Sequence, residues 1–170
     1  MPYTLWHREQ LIGETHFEGE RTVPDPHVGE RPHLAGVFRP TAYGRRLLPR
    51  LCGIMTACFE LKEEATRRGS FADEMPPEVT EELFETTAAG ARILDLGRVL
   101  TEVVLRDPGG VTLRVASMAF IDLGELAALS RKLGLNETVD FEAVPADTAE
   151  FLVSVTLADL ACHRGSMMLQ

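Results

Sequence analysis

The sequence predicts a single-domain α+β protein over residues 1–170, with an antiparallel sheet of about six strands packed by one long and two shorter helices. Two observations carry this prediction. Stretches in which apolar and polar residues alternate are separated mostly by short turns, which favours antiparallel strands. Stretches with helical spacing come in blocks and do not alternate one by one with the strands, which argues against a doubly wound parallel sheet.

The stretch 99–121 has the clearest strand pattern, because two β-branched runs flank the Pro-Gly-Gly sequence at 108–110. A two-residue loop would mix apolar and polar side chains on both faces of the hairpin. A three-residue loop places Leu105 opposite Leu113 and puts Gly110 where a left-handed residue is required. We therefore predict the three-residue loop. The same register predicts two further pairs, Val103 with Val115 and Thr101 with Ser117.

Alternation in the N-terminal region predicts a second hairpin over 3–17 that turns near residues 8–10. The following residues, 18–32, are polar and rich in proline and glycine, which predicts a long surface loop. A short strand over 33–39 comes next and is ended by Pro40.

Thr41 is placed to cap a helix, since its hydroxyl can accept from the free amides of a first helical turn. Gly44 and Pro49 predict one short turn before the main helix, which runs from about 48 to 68 and is ended by Gly69. The apolar residues of this helix lie on one side, so we expect it to cover a face of the sheet.

An acidic connector over 70–78 leads to a shorter helix that opens at Thr80 and is closed by Gly90. After it, the pattern predicts a strand entered from Ala91, with a bulge at Gly97.

Asp122 is placed to cap a third helix over 123–133. Residues 135–147 are predicted to form a loop, with a short strand over 139–144 as the alternative. Residues 150–160 are predicted to form the last strand, and 161–170 a loose tail.

The composition is that of an ordinary globular protein, with 45% apolar and 25% charged residues. No apolar run approaches the ~20 residues of a membrane helix, and the N-terminal residues lack the pattern of a secretory signal. The three cysteines include no CxxC pair, which argues against a disulfide framework. We therefore expect a cytoplasmic protein with no membrane contact.

The net charge is −9, and an acidic surface repels a phosphate backbone, so we expect no nucleic-acid partner. Arginine outnumbers lysine fifteen to two, which we interpret as the codon usage of a GC-rich bacterial genome.

A positively charged segment stands out against this acidic background. Between residues 31 and 59 there are five arginines and no aspartate or glutamate. We predict that Arg39, Thr41, Arg45 and Arg46 bind a phosphate or carboxylate at the capped start of the long helix. The alternative is that the acidic stretches 18–30 and 73–85 pair with these arginines, within the molecule or across a dimer.

The histidines supply a second candidate site. If the strands over 3–8, 11–17 and 33–39 are neighbours, then His7, His16 and His33 could converge on a metal ion. Their spacing matches no known metal signature, and the alternative is that they are scattered surface or half-buried residues.

No catalytic or cofactor motif is present, since GxSxG, the P-loop and a GxGxxG following a strand are all missing. We therefore predict no cofactor and leave open whether the protein is an enzyme. The first hypothesis is a non-enzymatic module that binds a small anionic ligand or another protein chain. The second is a small metal-dependent hydrolase that uses His7, Glu14, His16 and His33. The third is a structural homodimer with paired sheet edges.

Overall fold

The computed structural model describes residues 1–68, 77–132 and 149–158. In chain order the described strands are β1 (Tyr3–His7), β2 (Gln10–Thr15), β3 (Gly19–Asp25), β4 (Gly29–Val37), β5 (Arg39–Pro40), β6 (Val103–Arg106), β7 (Thr112–Leu113), β8 (Val115–Asp122) and β9 (Phe151–Leu157). The described helices are α1 (Ala42–Arg67), α2 (Pro77–Thr86), α3 (Ala88–Thr101) and α4 (Leu123–Lys132).

The strands form two antiparallel sheets, and the predicted α+β class is confirmed. One sheet has five strands in the order β5-β2-β1-β6-β7, and the other has four in the order β3-β4-β9-β8. The chain divides into two compact units. The first contains Met1–Leu47 and the described residues from Val103 on, and the second contains Leu48–Glu102. The single-domain organisation, and the long helix lying across a sheet, stay predictions.

The first unit is built around side chains that both sheets bury, among them Leu5, Ile12, Leu105, Val153 and Val155, each fully buried. Apart from residues 16–18, which join β2 to β3, the described chain passes from one sheet to the other at two places: Phe38 joins β4 to β5, and Arg114 joins β7 to β8.

Phe38 is buried at the first of these crossings and meets the ring of Phe120 edge to face at 5.0 Å. Its backbone N–H donates to the carbonyl of Phe151 at 2.9 Å, so its polar backbone is satisfied as well.

The three-residue loop of the central hairpin is confirmed. Leu105 lies opposite Leu113, and the N–H of Asp107 donates to the carbonyl of Val111 at 2.9 Å. Gly110 has a φ of +84°, the left-handed conformation that a residue with a Cβ rarely adopts.

The predicted continuation of that hairpin is wrong. Val103 pairs with His7 of β1, and Val115 pairs with Leu157 of β9 in the other sheet. Thr101 lies in α3. The chain leaves the first sheet after Leu113, because the eight residues of β8 pair along the whole length of β9.

The N-terminal hairpin is confirmed as β1 and β2, with His7 opposite Gln10. Its two turn residues, Arg8 and Glu9, have φ values of +47° and +65°, which is typical of a type I′ turn even though neither residue is glycine or asparagine.

The long loop predicted over 18–32 is wrong, because these residues form most of the β3–β4 hairpin. β3 is an edge strand whose side chains are mostly exposed, so its sequence lacks the apolar alternation that marks a half-buried strand. The carboxylate of Asp25 organises the turn by accepting from the N–H groups of His27 and Val28 at 2.8 and 3.0 Å.

The cap at Thr41 is confirmed, since its Oγ1 accepts from the N–H of Gly44 at 3.1 Å. The predicted interruption before residue 48 is wrong: α1 is continuous and contains Pro49. Gly44 lies within the helix and lets α1 approach β2 closely. A Cβ at this position would collide with the carbonyl oxygen of Ile12.

The strand predicted from Ala91, with its bulge at Gly97, is wrong, because α3 covers both positions. The second helix also begins before Thr80 and ends before Gly90. α3 is capped by Thr87, whose Oγ1 accepts from the N–H of Gly90 at 3.0 Å. Its buried residues recur at helical spacing and pack in the second unit: Ala89, Gly90, Leu96 and Val99.

The cap at Asp122 is confirmed, since its Oδ1 accepts from the N–H groups of Gly124 and Glu125 at 2.8 and 3.1 Å. The last strand is confirmed as β9. Several predicted features lie outside the described residues: the helix end at Gly69, most of the connector 70–78, the loop 135–147 and the tail 161–170.

Candidate functional site

Arg39, the first predicted anion ligand, is exposed on the edge strand β5. It lies directly opposite Glu14 of β2, and opposite charges at such positions attract across an antiparallel pair. The register therefore places a carboxylate-bearing residue directly across from Arg39 on the neighbouring strand.

Thr41 is committed to the fold. Its hydroxyl donates to the carbonyl of Leu11 at 2.8 Å and accepts from the N–H of Gly44 at 3.1 Å. One hydroxyl proton and one lone pair are thus already used in tying the start of α1 to β2.

Arg45 and Arg46 lie in the first two turns of α1 and are both exposed. Arg45 pairs with Glu150 at 3.1 Å, with more than half of each side chain in solvent. Arg46 places its guanidinium 5.8 Å from the centre of the Tyr43 ring, a cation–π contact.

The remaining arginines of the segment are paired as well. Arg31 contacts Asp25 at 2.5 Å, and Arg50 contacts Asp95 at 3.4 Å. Of the acidic partners predicted from the sequence, only Asp25 lies in one of the two stretches; Glu150 and Asp95 lie elsewhere. Each of the three arginines predicted to bind an anion thus has an acidic or aromatic neighbour of its own.

The three candidate metal ligands are separated by the fold. His7 is buried in β1, where its Nδ1 is hydrogen-bonded to the Tyr43 hydroxyl at 2.8 Å. His33 lies in β4 of the other sheet, with its Nδ1 3.0 Å from Oγ1 of Thr156. His16 is exposed beyond the end of β2.

The environment of His33 opposes its protonation. Burial lowers the pKa of this imidazole, and the charge of Arg21, which lies opposite it on β3, lowers that pKa further. In the described ranges no three His, Cys, Asp or Glu side chains are grouped closely enough to hold a metal ion.

A different site emerges in the second unit, where a cleft of about 430 Å³ lies between α1 and α3. Gly53 of α1 opens this cleft, since a Cβ there would come within 3.3 Å of Cδ1 of Leu96. The rest of the lining comes from Pro49, Arg50, Ala91, Arg92, Asp95 and Leu96.

Two arginines line this cleft, one from each helix. Arg50 pairs with Asp95 at 3.4 Å, and Arg92 pairs with Glu60 at 2.8 Å. The two arginine side chains are 53% and 50% exposed, so water competes for both ion pairs.

No protein family, no curated protein and no solved structure matches this chain.

Sequence reasoning missed this cleft because residues 91–97 were predicted to be a strand. The spacing of Ala91, Asp95 and Leu96 puts these residues on one face only when the segment is helical. The helical periodicity of these residues is the signal from which α3 could have been predicted.

Within the described part of the chain, no helix combines the length and the apolar character that crossing a bilayer requires.

Proposed function

We propose that this protein is a non-enzymatic binding module that holds a small organic anion in the α1–α3 cleft. The observation that carries the proposal is that two arginines and several apolar groups line the same cavity. Its volume of about 430 Å³ falls in the range of small-molecule sites.

The polar contact of such a ligand is a carboxylate or phosphate held by Arg50 and Arg92. A guanidinium presents parallel N–H donors that match the paired oxygens of these groups. The side chains of the present partners, Asp95 and Glu60, are themselves 64% and 45% exposed. Exposed ion pairs contribute only about 0–1 kcal/mol, so a ligand that brings its own anion can replace them at small cost.

The apolar contact comes from Pro49, Ala91 and Leu96, which line the same cavity. An apolar ligand body removed from water there contributes free energy in proportion to its buried area. The ligand class is therefore an amphiphilic anion, such as a medium-chain or aromatic carboxylate, and not inorganic phosphate.

The test is a titration of the isotope-labelled protein with octanoate, followed by NMR. We expect concentration-dependent shifts of α1 and α3 amides around Arg50 and Arg92. The uncharged analogue octanamide is expected to bind more weakly, because it cannot form charge-assisted hydrogen bonds with a guanidinium.

The matched variants are Arg50→Gln/Arg92→Gln and, as a control, Arg98→Gln. Arg98 is an exposed arginine of α3 that does not line the cleft. The double variant is expected to weaken octanoate binding about tenfold or more, and the control to leave it unchanged. Binding that persists in the double variant, or shifts confined to residues outside the cleft, would contradict the proposal.

The metal-dependent hydrolase hypothesis has no geometric support among the described histidines. A cytoplasmic location, the absence of a cofactor and the absence of a nucleic-acid partner stay predictions from the sequence.

A further inference from the structure

The four-stranded sheet has two edges of very different character. β3 forms one edge and β8 the other. β3 carries a proline, Pro24, and two adjacent charged residues, Glu20 and Arg21. Proline and charge on an edge strand are the features that discourage pairing with a further strand.

β8 lacks both features. From Val115 to Ile121 it contains neither proline nor any charged residue, and its exposed residues are small: Ala116, Ser117 and Ala119. Along this strand the backbone pairs with β9 on one side. Within the described ranges no other strand pairs with β8, so its outer edge presents N–H and C=O groups in the arrangement that another strand requires.

The charges at the two ends of β8 are opposite in sign, with Arg114 just before the strand and Asp122 at its end. In an antiparallel pair of two β8 strands centred on Met118, Arg114 of one copy lies against Asp122 of the other at both ends. A long arginine side chain reaches directly opposed and diagonal neighbours alike, so the bulge near Ala116 does not prevent this contact.

Asp122 can take part without giving up its structural role. Its Oδ1 accepts from the N–H groups that cap α4. Its Oδ2 accepts no hydrogen bond from any residue in the described part of the chain, so a second donor can approach it.

We propose that β8 is a dimerisation edge that pairs antiparallel with β8 of a second copy of this chain. The pairing joins two four-stranded sheets into one of eight strands about a twofold axis. A second copy fits better than an unrelated strand, because Arg114, just before β8, and Asp122, at its end, are opposite in charge and an antiparallel pair of two copies brings them together at both ends. A twofold contact of this kind also closes after two copies and does not propagate into a fibre.

The proposal also fixes the register. With Met118 on the axis, Ser117 of one copy lies opposite Ala119 of the other. Both side chains are exposed, so charged replacements are compatible with the monomer.

The test compares wild-type protein with two variants, Ser117→Lys/Ala119→Lys and Ser117→Glu/Ala119→Glu, by light scattering over a range of concentrations. Wild type is expected at twice the chain mass of 18.8 kDa. Each variant alone places like charges directly opposite each other, and we expect its dimer to be weaker by about tenfold or more. Mixed in equal amounts, the two variants are expected to form a heterodimer.

Thr22→Lys, at an exposed position of the β3 edge, is the matched control and is expected to leave the dimer intact. A wild type that stays monomeric at its highest soluble concentration overturns the proposal. So does a dimer that both charged variants leave unchanged, since it must use another surface. The proposal is also overturned if both variants lose the dimer and mixing them does not restore it. Residues 117 and 119 of the two copies would then not lie opposite each other. Circular dichroism establishes that each variant is folded, and either charged variant alone suffices to test the loss of the dimer.

Discussion

Gly97 and Gly90 lie in the same helix, yet their surroundings give opposite predictions. A Cβ at Gly97 would meet no atom within 4 Å, whereas a Cβ at Gly90 would collide with the backbone of Phe84. We expect Gly97→Ala to raise the free energy of unfolding by about 0.5–1 kcal/mol, because alanine restricts the unfolded chain and favours helix.

Gly90→Ala is the matched comparison and is expected to be destabilising by about 1–3 kcal/mol, since the backbone of α2 must shift to admit the methyl group. Urea denaturation measures both changes. If both substitutions change the free energy of unfolding equally, the close contact of Gly90 with the Phe84 backbone does not constrain the packing of α2 against α3.

Asp25 is expected to titrate unusually low. A hydrogen bond from the side chain of Arg31 and another from the N–H of His27 lower the pKa of its carboxyl from 3.8 to about 2. Because the folded pKa is depressed, the stability that this carboxylate contributes is present above pH 3.8 and is lost as the pH falls through about 2. The amide shifts of His27 and Val28 are expected to follow this titration in NMR spectra.

Asp25→Asn is the control for that titration. The amide keeps an oxygen that can accept from the turn N–H groups but carries no charge, so the low-pH transition of the two amides is expected to disappear. A midpoint near 3.8 in the wild type would mean that Arg31 does not hold the carboxylate in solution.

The start of α1 depends on one hydroxyl, which caps the helix and also binds the β2 carbonyl of Leu11. Thr41→Ala removes both contacts and is expected to lower the free energy of unfolding by about 1–2 kcal/mol. Thr41→Ser retains the hydroxyl and is expected to recover most of this loss. Thermal or urea unfolding of the two variants makes the comparison, and equal destabilisation by both would assign the effect to the lost methyl group.

Elements whose cause is local could be predicted from the sequence. The loop before Val111 follows from Gly110, and the starts of α1 and α4 follow from the side chains of Thr41 and Asp122. Elements whose conformation depends on the strands and helices packed against them could not be predicted in this way. The β3–β4 hairpin has a solvent-facing edge without apolar alternation. The strand predicted in place of α3 took Gly90 as the end of a helix and Gly97 as a bulge, whereas both lie within α3.

At the scale of the whole molecule, charge density along the sequence does not reveal which partner each arginine contacts. Arg45 finds its acidic partner 105 residues away, a contact that no local pattern contains. The cleft likewise depends on two helices that bring Arg50 and Arg92 to one cavity. The sequence suggests an anion held by arginine, which stays a proposal, whereas the residues that line the cavity follow only from the packing of α1 against α3.

The crossings at Phe38 and Arg114 have a consequence for how the first unit loses its structure. In the described residues each sheet is covalently continuous with the other at three places, the third being the β2–β3 connection, and Phe38 is packed against Phe120 and hydrogen-bonded to Phe151 where it crosses. Separating one sheet would therefore pull apart the β4–β5 and β7–β8 corners at once. We therefore expect the two sheets to open in a single cooperative event, in which amides of β1 and β9 exchange with solvent through the same global fluctuation.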